Sequence, residues 1–420
     1  MPMQRRRQQV LAIIMAGGKG ERLMPLTAFR SKPSVPFGGK FRIIDFVLSN
    51  FVNSGVLAIY VLVQYKSQSL IEHLRQAWRI GGRIKNNFIT VVPPQMRAGD
   101  GWYEGTADAV YQNLNLVYDF DPDVVAVFGA DHIYRMDINE MLRFHAEREA
   151  DVTVASLPVP LSEARSFGIV EVNGEDRVVG FLEKPQQANP MPHDPDRAYA
   201  SMGNYLFNKD LLVDVLEQDA AKPGSHDFGR NIIPHLLKSH RVFAYNFQTN
   251  SIPGLQSYEE PGYWRDVGTL DAYWQAHMDL LGERPIFDLR NTNWPILTDS
   301  FDGPMASLVR TTVDESMVGQ GGQFIDADIR QSVIGRGVRI GTGARLEGCV
   351  IADGVHIGAG ARLRRVIADR FSNIPAGIEL GYGETVDRER FYVSQSGLIV
   401  LPRNYRFKSV LPNLAGSAKM

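Results

Sequence analysis

Over the first two thirds of the chain, apolar residues gather in short continuous runs. Val10–Ala16, Val56–Val63, Phe88–Val92, Val124–Phe128 and Asp151–Leu157 each read as a buried β-strand. Val10–Ala16, Val56–Val63 and Val124–Phe128 are unbroken apolar runs, too short for helices and without the alternation of a strand with one wet face. The other two continue the series with polar residues among the apolar ones. Helical patterns lie between them. Over Ala107–Tyr118, Val110, Leu114 and Val117 share one face, and Thr106 stands where an N-cap belongs. Strands alternating with helices predict an α/β domain with a mostly parallel sheet. In such sheets ligands sit beyond the carboxyl ends of the strands.

The pattern changes near residue 285. Arg284–Pro304 is rich in Pro, Asn and Asp and reads as a connection. Beyond it, Ile334, Ile340, Leu346, Ile351, Ile357 and Leu363 follow at steps of six, six, five, six and six, with Gly335, Gly341 and Gly358 directly after three of them. Hexapeptide spacing is the signature of a parallel β-helix, in which short stacked strands bury one apolar residue per side. A plain antiparallel sheet with regular turns is the alternative. The expected organisation is a first domain over 1–284, a connecting segment over 285–315 and a β-helix domain over 316–420.

Composition narrows the function classes. Lys and Arg number 45 against 47 Asp and Glu, a formal net charge of −2, which argues against a bulk nucleic-acid binder. The single cysteine, Cys349, leaves no internal disulfide framework and no Cys-rich zinc site. No run approaches the ~18 apolar residues of a membrane span. Arg5, Arg6 and Arg7 before Val10–Ala16 imitate a signal peptide. However, the apolar run ends in Gly17-Gly18-Lys19-Gly20-Glu21-Arg22 rather than in a small-residue cleavage site. A first strand feeding a glycine loop, in a cytoplasmic protein, is the expectation.

That loop follows the first strand, where phosphates bind in α/β proteins. It lacks the Gly-Lys-Ser/Thr of a P-loop, and Leu23 replaces the third glycine of a dinucleotide fingerprint. Lys19, Arg22, Arg30 and Lys32 within 14 residues suit a polyphosphate. A solvated basic loop is the bland alternative.

With these runs in view, MAGGKGERLMPLT and RSKPSVPFGGKFRIIDFVLSN resemble the N-terminal signature of the sugar-nucleotide pyrophosphorylases. WYEGTADAVYQN, GADHIYRMD, FLEKP, SMGNYLF, SHDFG and YWRDVGT are similar to motifs of its bacterial glucose-1-phosphate adenylyltransferase branch. The resemblance covers nearly the whole chain. It implies a Rossmann-like nucleotidyltransferase domain, a C-terminal left-handed β-helix and a homotetramer. It also implies adenylyl transfer from ATP to glucose 1-phosphate, giving ADP-glucose and pyrophosphate for glycogen biosynthesis.

By resemblance, Asp131 and Asp266 hold Mg²⁺, and Arg22 and Lys32 contact the triphosphate. Gly17, Gly18 and Gly20 lie along ATP, with Gln95, Gly105, Thr106 and Asp108 around the adenine and ribose. Tyr103, Gly168, Glu183, Lys184 and Ser201 take the sugar phosphate, with Asp227 as a weaker sugar contact. Individually, a capping aspartate, a surface Glu-Lys pair or a buried tyrosine would need no function. The branch is regulated by anions. Arg30, Arg42, Arg364 and Arg365 are the candidate effector cations, with Arg42 and Arg365 expected to face one pocket. Phe29 stands where enterobacterial members carry a lysine tied to fructose bisphosphate. Fructose 6-phosphate or pyruvate is therefore the expected activator, with AMP or phosphate as inhibitor.

Three rivals stay in view. A hexapeptide acyltransferase would need a general-base histidine, and His356 is the only histidine after His277. A non-catalytic subunit would have lost reactive positions that this chain keeps. A pyrophosphorylase for another nucleotide would be told apart by offering ATP, UTP, GTP and dTTP in parallel with glucose 1-phosphate.

Overall fold

The computed structural model describes residues 8–79, 86–95 and 102–407, so the Arg5–Arg7 run lies outside the described residues. The chain forms two compact units. The first comprises Met1–Phe37, Phe41–Ala272 and Arg284–Ser300, and the second Gly38–Lys40, Tyr273–Glu283 and Phe301–Met420.

The first unit is built on a nine-stranded sheet. Its strands are β1 (Val10–Met15), β2 (Ala58–Leu62), β3 (Phe88–Val92), β4 (Val124–Gly129), β5 (Val152–Pro160), β6 (Gly168–Val172), β7 (Val178–Glu183), β8 (Arg197–Asn208) and β9 (Val242–Asn246). They pair in the order β7-β6-β8-β4-β1-β2-β3, with β5 joined to β8 and β9. Strands β3, β2, β1 and β4 run parallel, as the apolar runs predict, while β8 is antiparallel to β4, β5 and β6. Leu11 and Ile13 enter one hydrophobic cluster, and Ala12 and Ile14 enter another. The sheet is thus buried on both faces, which is why β1 reads as an unbroken apolar run.

The predicted Ala107–Tyr118 helix is two helices, α1 (Thr106–Tyr111) and α2 (Leu114–Phe120). Val110, Leu114 and Val117 are buried as expected. The break falls at Asn113, whose side chain donates to Ala109 O (2.8 Å) and to the Tyr103 hydroxyl (3.0 Å). A side chain bonded back onto the preceding turn competes with the helical ladder. The N-cap is Gly105 rather than Thr106, and the Thr106 hydroxyl bonds elsewhere, as described below.

In the second unit, short parallel strands stack into three sheets. The hexad residues form interior columns: Ile340, Ile357 and Ile374 in one, Leu346, Leu363 and Leu380 in another, and Ile334, Ile351 and Ala368 in the third. The five-residue step from Leu346 to Ile351 gives a coil of 17 residues from Ile340 to Ile357, after a turn of 16 from Phe324 to Ile340. Phe324 and Ile329 extend the stack before Ile334. Cys349 is buried in it, and burial pushes its thiol up to about 12, so it stays protonated. His356 is exposed. Among the described residues, no helix is long and apolar enough to cross a membrane.

Candidate active site

The parallel strands end together, and their carboxyl ends deliver the chemistry. The Gly17–Gly20 loop follows β1, Gln64 follows β2, Gln95 follows β3 and Asp131 follows β4. Gly20 has φ 64°, in the left-handed region, where glycine is favoured. A Cβ there would lie 3.0 Å from that of Lys32. Thr27 Oγ1 donates to Gly20 O (2.8 Å) and closes the loop. This packing brings the stem of Lys32 beneath it, 5% exposed.

Asp266 arrives from far along the chain. Strand Trp264–Asp266 pairs antiparallel with His132–Tyr134, setting Asp266 opposite His132. Lys32 Nζ then donates to Asp131 Oδ2 (3.0 Å) and to Asp266 Oδ1 (2.8 Å). Arg22 Nη2 lies 3.8 Å from Asp266 Oδ2. The four residues expected to be catalytic are therefore in one place. Gly268 belongs there too, since a Cβ on it would sit 2.9 Å from both Arg22 Nη2 and Asp266 Oδ1.

The charges are strongly coupled. Burial alone would raise the Asp131 carboxyl, but Lys32 and His132 outweigh it and hold it far below the usual carboxylate range. Burial alone would lower Lys32, and the two aspartates more than reverse this. Both groups stay charged across the physiological range. Asp131, His132 and Asp266 each present a ligand atom within 4.8 Å of the others. Two carboxylates converging beside a buried ammonium fit a hard divalent cation, whose preferred ligands are oxygens. His132 was not anticipated. It lies beside Asp131 in the motif, with Nε2 3.5 Å from Asp131 Oδ1.

The residues expected around the adenine are less uniform. Gln95 is exposed and donates to Pro93 O (2.8 Å). Asp108 accepts from Glu104 N and Gln112 Nε2, both at 2.9 Å. Thr106 Oγ1 donates to Asp227 Oδ2 (3.0 Å). Gly18 has open space around its Cβ position, and Gly17 faces Gln64, whose amide donates to Tyr103 O (3.3 Å).

Of the sugar-side residues, Gly168, Glu183 and Lys184 come together at the ends of β6 and β7. A Cβ on Gly168 would meet Phe181 Cζ (2.9 Å) and Glu183 Oε2 (3.1 Å). Lys184 Nζ and Arg230 Nη2 each lie 3.8 Å from Glu183 Oε1. Arg230 was not foreseen, because nothing in SHDFGR links it to FLEKP. Ser201 accepts from Gly203 N (3.3 Å), beside an irregularity in β8 between Ser201 and Tyr205. The Tyr103 hydroxyl, raised by burial, is bound to Asn113. Asp227 Oδ1 accepts from Gly229 N (2.9 Å) and Arg230 N (3.1 Å).

Among the regulatory candidates, Arg30 is 2% exposed and donates to Leu26 O (3.1 Å). Arg42 donates to Ser69 O (2.7 Å) and Oγ (2.9 Å). In the second unit, Arg364 lies 3.6 Å from Glu347, and Arg365 sits over Trp274 and donates to Ser396. Phe29 is 69% exposed.

Comparison with known proteins gives the context. Residues 11–283 match the nucleotidyl transferase family, and residues 305–401 match the GlmU-like C-terminal hexapeptide family. The latter agrees with a left-handed β-helix. The chain is 50% identical to a glucose-1-phosphate adenylyltransferase of Thermodesulfovibrio yellowstonii, over 95% of this chain and 97% of that one. It is 49% identical to the enzyme of that name from Thermus thermophilus, over 95% and 99%. It is 47% identical to that from Anaeromyxobacter sp. (strain Fw109-5), over 95% and 99%. With both matches in chain order and relatives aligned end to end, the protein belongs to the nucleotidyl transferase family, in its glucose-1-phosphate adenylyltransferase branch.

Proposed function

We propose that the protein transfers the adenylyl group of ATP to glucose 1-phosphate, releasing pyrophosphate and forming ADP-glucose. The observation that carries this reading is Lys32 held between Asp131 and Asp266 at the carboxyl ends of the parallel strands. In the reaction, a glucose 1-phosphate oxygen bonds to the α-phosphorus of ATP, and the bond to the β-phosphate oxygen breaks with its electron pair. No activated serine or cysteine is required. The protein must juxtapose two polyanions and stabilise the charge that develops on the leaving group.

A divalent cation, which we assign as Mg²⁺ held by Asp131 and Asp266, would supply charge neutralisation on phosphate oxygens when bound. Lys32 is a permanent ammonium placed against the triphosphate, and Arg22 brings a second cation from the glycine loop. Lys184 binds the sugar phosphate, and Glu183 accepts from sugar hydroxyls. ATP, UTP, GTP and dTTP offered in parallel with glucose 1-phosphate test the assignment. ATP should release pyrophosphate fastest, and equal or faster turnover with UTP would overturn the adenylyl reading.

Asp131 is held far below and Lys32 is raised above its ordinary value, so neither supplies an acid limb at about pH 6, and the substrate phosphate does. The profile of kcat/KM for glucose 1-phosphate should fall below about pH 6, where the phosphate's second ionisation reverses, and stay flat above it. A bell with both limbs between pH 6 and 9 would instead require a protein acid and base.

Membership of this branch supports the wider reading: a cytoplasmic homotetramer in glycogen biosynthesis. Its activator would be fructose 6-phosphate or pyruvate and its inhibitor AMP or phosphate. Of the effector cations proposed, Arg364 is half exposed, whereas Arg30 is buried.

A further inference from the structure

The turn over Gly105–Asp108 and the loop over Ser225–Arg230 are joined by side-chain and backbone hydrogen bonds. Thr106 Oγ1 donates to Asp227 Oδ2 (3.0 Å) and accepts from Phe228 N (3.1 Å). Ala107 N donates to His226 O (2.7 Å). His226 Nδ1 lies 2.8 Å from Asp219 Oδ2, and its Nε2 lies 3.9 Å from Glu104 Oε2. The Thr106 hydroxyl thus uses its proton and an acceptor site on the sugar-side loop.

The connection continues past Asp227. Its other oxygen caps Gly229 N and Arg230 N. A Cβ on Gly229 would sit 3.0 Å from the Phe181 ring, and Arg230 reaches Glu183. Phe181 and Glu183 line Gly168. The path runs from Thr106 through Asp227 to the Gly229–Arg230 turn, and from there to the wall of the sugar-phosphate site.

We propose that Thr106 is a positioning residue for the sugar phosphate, acting through Asp227, and not a nucleotide contact. This rests on the reaction proposed above. The test compares Thr106→Val, which keeps the shape and loses the hydroxyl, with Thr106→Ser, which keeps the hydroxyl. Thr106→Val should raise KM for glucose 1-phosphate at least ~10-fold while KM for ATP stays within ~2-fold, and Thr106→Ser should stay near wild type. Asp227→Ala should give the same signature, and the double variant should be no worse than the worse single one.

Amide hydrogen exchange over residues 226–230 in the full-length, unliganded enzyme needs no turnover. It should quicken ~10-fold in Thr106→Val and not in Thr106→Ser. If wild type prefers another nucleotide, the reaction reading fails while the exchange result still reports the link. A larger rise in KM for ATP than for glucose 1-phosphate would overturn the proposal, as would equal damage from Ser and Val.

Discussion

Replacing Asp131 by asparagine is expected to lower kcat by ~10²–10³-fold while the chain stays folded, because charge stabilisation at the transition state is lost. The substitution is nearly isosteric, and the Asp131 side chain is 39% exposed, so no cavity forms. Lys32 keeps its 2.8 Å bond to Asp266 and remains protonated. What disappears is one of the two carboxylates that would share a divalent cation. Asp266→Asn should match it, since the Trp264–Asp266 strand brings its carboxylate to the same ammonium. Steady-state kinetics at saturating Mg²⁺ and ATP, with thermal melts to confirm folding, provide the check. A fully active Asp131→Asn enzyme would remove this residue from the catalytic machinery.

Gly105→Ala should be nearly as damaging, for a different reason. The residue has φ −151° and ψ −177°, extended backbone that any amino acid adopts. Space, not conformation, demands glycine here. An alanine Cβ would run into the backbone carbonyls of Ser225 and His226, and backbone cannot swing aside as a long side chain can. Overpacking of well-filled sites costs ~1–3 kcal/mol, and separation of the two loops would also break the Thr106–Asp227 bond. We expect a stability loss of about 3 kcal/mol in denaturant melts together with a ~10²-fold fall in kcat/KM. Wild-type stability and kinetics in Gly105→Ala would show that the two loops are not locked together.

Much of this was legible in the sequence because the responsible forces act locally. Burial on both faces makes β1 and β4 continuous apolar runs, and the coil pitch writes Ile334 to Leu363 at hexad spacing. The parallel core of the sheet and the stacked coils follow from those two periods. What escaped depends on partners far along the chain. Thr106 precedes an apolar periodic stretch and so reads as an N-cap, but its partner, Asp227, is 121 residues away. Gly105 and Gly268 carry no mark of the atoms that crowd them. Asn113 looks like an ordinary helix surface residue until the Tyr103 hydroxyl is placed beside it. Arg230 and Glu183 meet only once the Asp227 turn has formed. Asp131, Asp266 and Lys184 were found through motif resemblance, since an aspartate in a turn or a lysine after a glutamate is commonplace by itself.

The 17-residue coil has a kinetic corollary. Through most of the coil stack a rung bonds to one a single turn away, as Ile340 does to Ile357 and Ile357 to Ile374, and an exception is Val366 with Ile399. Loop closure at so short a separation is entropically mild, and its cost grows only slowly with length. In contrast, the nine-stranded sheet must bring β8 against β4, pairing Tyr205 with Val127, before its centre exists. Low contact order speeds folding, and stacked repeats can start at any rung and propagate in both directions. Pulse-labelled exchange during refolding should therefore show protection at Ile340–Leu380 before protection at Val124–Gly129. The coil stack would then form without waiting for the sheet that precedes it in the chain.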